Sequence, residues 1–150
     1  MSAFHFNGFL AGDTPATFIA FCVSPVCTVA KGTDAEAIEV CGPELAEGWS
    51  IYGETYEGAR LVHDDNAGDI GRALVALVAT NPAPIYYQDD QDRTLPGTLD
   101  DLAARLSEKI HDEITGYDDP EDFRDDDFDA HPLANLRELI CDAIEERAAA

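Results

Sequence analysis

The segment Thr17-Phe18-Ile19-Ala20-Phe21-Cys22-Val23 decides the fold class of this chain. Its β-branched and aromatic side chains favour a buried β-strand over a helix. The dipeptide Ser24-Pro25 that follows predicts a turn into a second strand, Val26-Cys27-Thr28-Val29, which Gly32 ends. This stretch therefore predicts that the N-terminal part of the chain forms a β-sheet.

Further strand-like segments lie on both sides of this stretch. Before it, Phe4 and Phe6 alternate with polar residues, as in a half-buried strand. After it, the predicted strands are Ala37–Cys41, Trp49–Tyr56 and Ala59–His63, and an edge strand at Pro84–Tyr87. The second and third of these flank Glu57-Gly58, which predicts a tight hairpin. Together they predict an antiparallel sheet of meander or hairpin connections.

Three helices are predicted, most of them near the C-terminus. The first is capped by Asp65 or Asn66, buries Ile70, Leu74, Leu77 and Val78, and ends at Asn81-Pro82. The second spans Leu99–Thr115 and starts with a capping box, Thr98-x-x-Asp101. The third begins at Pro132, and its buried stripe comprises Leu133, Leu136, Ile140 and Ala143 or Ile144.

These elements predict one α+β domain over residues 1–150. Residues 1–88 form mainly the sheet and one helix, and residues 89–150 form an acidic helical part. Residues 1–88 hold 11 acids and 3 bases, whereas residues 89–150 hold 20 acids and 6 bases. The charge is therefore concentrated in the helical part.

The net charge limits the partners of the chain. It has 31 Asp and Glu against 9 Lys and Arg, a formal net charge of −22. A field of this sign repels phosphate, so direct binding to nucleic acid or to an anionic membrane is excluded. The N-terminal sequence lacks a secretory pattern, and the apolar run Ala16–Ala30 is too short to span a bilayer, so a cytoplasmic location is expected.

The sequence carries no catalytic signature, so we expect a protein that is not an enzyme and has no metal or cofactor. The cysteines Cys22, Cys27, Cys41 and Cys141 are expected to be buried free thiols. A calcium loop starting at Asp125 has Ala130 where glycine is required and Leu136 where glutamate belongs.

Other candidate sites also lack essential residues. The carboxylates of Asp89, Asp90 and Asp92 would suit a metal-dependent phosphatase or nuclease, but only Arg93 is near them in sequence. The histidines of His63-Asp64 and His111-Asp112 have no partner histidines at metal-ligand spacing and are expected at the surface.

Rows of exposed carboxylates are the best candidate binding site, because a rigid anionic surface can occupy a groove that normally binds DNA phosphates. The candidates on the two C-terminal helices are Asp101, Glu108, Asp112, Glu138 and Asp142. Those in the loop between the helices are Asp118, Asp119, Glu121, Asp122, Asp125, Asp126, Asp127 and Asp129. The expected partner is a basic nucleic-acid-binding effector or nuclease.

Phages and mobile elements make small acidic α+β proteins that disable CRISPR effectors or restriction enzymes. The chain resembles that class, the anti-CRISPR and DNA-mimic inhibitors, only in its size, its charge and its lack of catalytic motifs. An immunity protein or antitoxin that neutralises a cationic toxin is one alternative. A second alternative is adaptation to high salt, since 19 Asp, 12 Glu and only two Lys fit a halophilic composition.

Overall fold

The computed structural model describes residues 4–31, 35–64, 68–94, 97–115 and 130–149. One sheet contains the strands β1 (Ala20–Lys31), β2 (Ala35–Val40), β3 (Gly48–Thr55), β4 (Gly58–Asp64) and β5 (Ile85–Tyr87). The helices in these ranges are α1 (Ile70–Thr80), α2 (Leu99–Thr115) and α3 (Pro132–Ala149). The predicted class is confirmed: a single α+β domain with an antiparallel N-terminal sheet and helices that lie mostly toward the C-terminus.

The sheet has the strand order β2-β1-β3-β4, with β5 parallel to β1. The predicted turn at Ser24-Pro25 is wrong, because β1 runs through this dipeptide as one strand. On one side of β1, β5 pairs as far as Val23 and β2 pairs from Val26 onward. Pro25 lies between these two partners, where no ladder bond needs its missing N–H, and its carbonyl accepts a bond from the Cys41 amide at 3.0 Å.

The predicted strand at Phe4 and Phe6 is also wrong, because the segment is irregular. Phe6 is buried and contacts the rings of Phe4 and Phe9 at centroid distances of 4.9 Å. The alternation of apolar residues reflects an aromatic cluster that caps the core. By contrast, the β3–β4 hairpin is confirmed, with Gly58 at a positive φ of 134°.

The helices agree closely with the sequence predictions. α2 and α3 have the predicted starting residues, and the buried side of α3 comprises Leu133, Leu136, Ile140 and Ala143. α1 starts later than predicted, with Asp69 at the N-cap position. Asp65 and Asn66, the predicted caps, lie outside the described residues.

The core lies between one face of the sheet and the three helices, and α3 packs against both α1 and α2. Gly71 of α1 allows α1 and α3 to approach each other closely, since a Cβ there would lie 2.1 Å from the Leu139 carbonyl oxygen of α3.

All four cysteines are free, as expected, but only Cys22 and Cys41 are fully buried. Burial raises the pKa of the Cys22 thiol to about 11.

Candidate functional site

α2 directs three of the predicted acids away from the core. The predicted capping box is present: the Asp101 amide donates to Thr98 Oγ1 at 3.2 Å, and the Thr98 amide donates to Asp101 Oδ2 at 3.4 Å. The buried face of the helix carries Leu99, Leu102, Leu106, Ile110 and Ile114. The opposite face exposes Asp101, Glu108 and Asp112.

Basic groups interrupt this acidic face of α2. Arg105 lies between Asp101 and Glu108 on the same side of the helix, at helical spacings of four and three residues. A shallow groove beside the helix brings together acids and bases from two segments of the chain, and its lining consists of Asp92, Arg93, Thr94, Arg105, Glu108, Lys109, Asp112 and Glu113. The face is therefore acidic but partly neutralised.

A buried ion pair connects α2 to the segment after β5. Lys109 Nζ lies 2.8 Å from Asp89 Oδ2 and 3.3 Å from Asp92 Oδ2. The other Asp89 oxygen, Oδ1, accepts backbone bonds from Gln91 at 2.8 Å and Asp92 at 2.7 Å. The Tyr87 hydroxyl donates to Asp89 Oδ2 at 3.1 Å. These bonds hold Asp89 and Lys109 in structural roles.

The electrostatics of this pair follow from its bonds. Burial acts to raise the pKa of Asp89, but the bonds from Lys109 and the two backbone amides outweigh it and lower that pKa. Burial likewise acts to lower the pKa of Lys109, and the Asp89 carboxylate outweighs it and raises that pKa. Both groups are therefore held in their charged forms.

α3 carries a row of acids with a different environment. Glu138, Asp142 and Glu145 are exposed and recur at intervals of four and three residues, opposite the buried side of the helix. Within the described part of the chain, none of the three lies in an ion pair. At the edge of the row, Glu146 pairs with Arg72 of α1 at 3.3 Å. This row, Glu138, Asp142 and Glu145, is here named the α3 acid row.

The structure describes five of the thirteen predicted binding residues, and all five are exposed: Asp101, Glu108, Asp112, Glu138 and Asp142. They lie on two neighbouring helices that pack against each other. Glu145, which was not among the thirteen, is exposed on the same side of α3 as Glu138 and Asp142. The remaining eight lie outside the described residues, namely Asp118, Asp119, Glu121, Asp122, Asp125, Asp126, Asp127 and Asp129.

The prediction that His63 lies at the surface is wrong. Its ring is 2% exposed, its Nε2 lies 2.9 Å from Asp69 Oδ1, and its Nδ1 accepts a bond from the Asn7 amide at 3.3 Å. The ring of Phe4 also lies against it, with a centroid distance of 5.0 Å. His63 thus joins the N-terminal segment to the start of α1, whereas His111 is exposed as expected.

Sequence reasoning missed the partners of Arg93, which lie on strand β3 and beside strand β1. Arg93 stacks 3.9 Å from the centroid of the Tyr86 ring and bonds Glu54 Oε1 at 2.8 Å. Cys22 also lies 3.6 Å from Glu54 Oε1. These partners are distant in sequence, so no local pattern could have indicated them.

Within the described ranges, no group of three or more His, Cys, Asp or Glu side chains is arranged to hold a metal ion. No helix there is both long enough and apolar enough to cross a membrane. No protein-family model, curated protein or solved structure shows significant similarity to the chain.

Proposed function

We propose that this protein is a non-enzymatic inhibitor, encoded by a phage or mobile element, which binds the basic nucleic-acid-binding surface of an effector or nuclease. The α3 acid row and the exposed acids of α2 present the carboxylates, and the partner contributes Lys and Arg. The partner thereby loses access to its DNA or RNA. This is the mode of action of anti-CRISPR and anti-restriction inhibitors that mimic nucleic acid.

The observation that carries this proposal is the α3 acid row. Like charges at four-residue spacing destabilise a helix by about 0.2–0.5 kcal/mol per pair. Glu138 and Asp142 have this spacing, and so do Asp142 and Glu146. Charges that cost stability in the free protein are useful when a cationic partner compensates them.

The charge spacing supports the same proposal. The α3 acid row places three carboxylates over seven residues, about 10 Å of helix axis at about 1.5 Å per residue. One DNA strand carries a phosphate every 3.4 Å or so of its axis. The linear charge density of the row is therefore of the same order as that of a nucleic-acid strand.

The test is a capture experiment with the tagged full-length protein in lysates of bacteria that carry CRISPR or restriction systems. We expect the wild type to retain a nucleic-acid-binding effector at about 50 mM salt, to lose it by about 200 mM, and to release it when duplex DNA is added. The variant E138Q/D142N/E145Q should retain at least roughly tenfold less, a difference of about 1.4 kcal/mol.

A matched variant controls for net charge. E44Q/E57Q/D90N removes three exposed acids outside α1, α2 and α3, so its net charge equals that of the α3 variant. It should bind like the wild type. If both variants lose the effector equally, net charge alone accounts for the binding, and the proposal is contradicted. Capture of a cationic toxin that no nucleic acid displaces would favour an immunity protein instead.

A further inference from the structure

The two outer strands of the sheet, β4 and β2, differ in whether another segment of the chain bonds to their outer edge. Along β4, the Asn7 side-chain amide donates to the Asp64 carbonyl at 2.7 Å and accepts from the Asp64 amide at 2.8 Å. The Gly8 amide donates to the Val62 carbonyl at 3.0 Å. The N-terminal segment thus occupies this edge. At the other end of the strand order, β2 pairs only with β1 within the described part of the chain.

The register shows which backbone groups of β2 point away from β1. Pro25 directs its carbonyl toward Cys41, so in the β1–β2 ladder the odd-numbered residues of both strands face each other. The N–H and C=O groups of Glu36, Ile38 and Val40 therefore point outward from the sheet. They form a row of donors and acceptors to which an extended chain can bind.

Two apolar residues of β2, Ile38 and Val40, lie on the sheet face that turns away from the helices. Ile38 is 55% exposed and Val40 is 37% exposed. They lie opposite Thr28 and Val26 of β1, and Ile38 helps to line a small pocket together with these two residues. Among the described residues, this edge therefore combines outward-pointing backbone groups with two exposed apolar side chains.

The charge around the edge selects the kind of strand that fits it. β2 carries Glu36 and Glu39 and no Lys or Arg, and Lys31 of β1 lies opposite its first residue, Ala35. A second copy of this chain would bring like charges together, since both copies carry a net charge of −22. A strand with Lys or Arg at alternate positions would bring opposite charges together.

We propose that the outer edge of β2 binds an extended segment of a basic partner protein, which adds as a further strand of the sheet. Its apolar side chains lie against Ile38 and Val40, and its Lys or Arg side chains lie among the surrounding glutamates. This surface is distinct from the α3 acid row, and the inference does not depend on the inhibitor function proposed above.

Hydrogen exchange measured by NMR tests the proposal on the full-length protein. The probe is a blocked peptide of alternating valine and lysine, about ten residues long, the upper length of an ordinary strand. We expect it to slow exchange at the amides of Glu36, Ile38 and Val40 at least roughly tenfold. The amides of Ala37 and Glu39, already bonded to β1, should change little. Peptide binding without this alternating protection would overturn the proposal.

Two variants separate strand addition from charge attraction. Ile38→Pro removes one outward N–H at an edge position where proline is tolerated, whereas Ile38→Ala keeps that N–H. We expect Ile38→Pro to weaken peptide binding at least roughly tenfold relative to Ile38→Ala. Equal affinities would contradict the proposal.

The remaining controls use the wild-type protein, so they hold even if Ile38→Pro does not fold. A peptide of the same sequence that is N-methylated at every residue keeps its charge but cannot donate to β2, and it should bind at least roughly tenfold more weakly. Equal binding of both peptides would overturn strand addition. Protection of the outward amides that grows with protein concentration, without peptide, would identify a second copy as the occupant and overturn the proposal.

Discussion

The solvent-facing sides of α2 and α3 are both acidic, yet their electrostatic environments differ. On α2, Arg105 lies within the acidic stripe and Lys109 pairs with buried Asp89. On α3, the row of Glu138, Asp142 and Glu145 has no ion-pair partner in the part of the chain that the structure describes. The difference in the described residues is one of spacing: Arg105 lies three or four positions from Asp101 and Glu108, whereas no Lys or Arg lies at that spacing from any acid of the α3 row.

This difference shows why counting charges is not sufficient to locate an interface. A carboxylate with a basic side chain at helical spacing is already partly offset by that charge, so it gains less attraction from a cationic partner. An uncompensated carboxylate gains its first cationic partner on binding. The α3 acid row is therefore the stronger candidate interface, and the acids of α2 are expected to assist it. The following predictions test this contrast, from the largest expected effect to the smallest.

The buried sides of the two helices should behave alike, although their exposed sides differ. Leu106 of α2 is 1% exposed and Ile140 of α3 is 0% exposed. Leu106→Ala and Ile140→Ala should each lower the free energy of unfolding by about 2–5 kcal/mol, because each leaves a cavity in the core. Urea unfolding measures the change.

Ala104→Gly, on the exposed side of α2, provides the control and should cost about 1 kcal/mol. If Ile140→Ala lowers the free energy of unfolding by well under about 1 kcal/mol, α3 contributes little to the core. The α3 acid row would then lack the rigid support that the proposed function needs.

Breaking the buried ion pair between Lys109 and Asp89 tests α2 alone, because Lys109 lies on that helix. Lys109→Met leaves Asp89 buried without its cation and should cost about 3 kcal/mol. Arg105→Met, on the same helix but without a buried partner, should change stability by less than about 0.5 kcal/mol. Equal effects of the two substitutions would show that the Lys109 pair has no special role.

The pH dependence of unfolding gives a second measure of this pair. The pKa of Asp89 is lowered in the folded state, so its stabilising contribution is present above the ordinary aspartate pKa and is lost as pH falls through the folded-state value. In Lys109→Met, burial acts against the charged form with less opposition. The loss of stability on acidification, followed by urea unfolding between about pH 8 and about pH 3, should therefore become smaller.

The smallest effect concerns the stability of the charge variants. E138Q/D142N/E145Q should raise the free energy of unfolding by a few tenths of a kcal/mol at about 50 mM salt, because repulsion along α3 falls. D101N/E108Q/D112N should gain less, since Arg105 already offsets repulsion and Asp101 closes the first turn of α2. The gain for α3 should disappear near 1 M salt, where charges are screened.

Thermal melts over the same salt range test the halophilic alternative. The wild type should be folded at about 50 mM salt, where surface charges are weakly screened. If the wild type is unfolded there and folds only near 1 M salt, the acids are an adaptation to high salt. The proposed interface would then lose its main support.

Local patterns predicted the helices and the hairpin well because the determining interactions are close in sequence. The stripe from Leu133 to Ala143 repeats at three and four residues, and Thr98 caps α2 through Asp101, three residues away. The exposure of Asp101, Glu108 and Asp112 followed from the same periodicity, since residues opposite a buried stripe face solvent.

Predictions failed where distant segments meet. Pro25 indicated a turn, yet it lies inside β1 because β5 and β2 leave a gap beside it. His63 was expected at the surface, yet the N-terminal segment covers it and Asp69 bonds its ring. Neither neighbour can be identified from the residues adjacent in sequence.

The sequence by itself determined the excess of negative charge, its concentration after residue 88, the α+β class and the faces of α2 and α3. Only the tertiary structure decided which buried or distant carboxylates are paired with a base and which edge of the sheet has no further strand among the described residues. Lys109 reaches Asp89 across 20 residues, and Arg93 reaches Glu54 across 39. Helical periodicity depends on neighbours within one turn, whereas ion pairs and strand edges depend on how the whole chain folds back on itself.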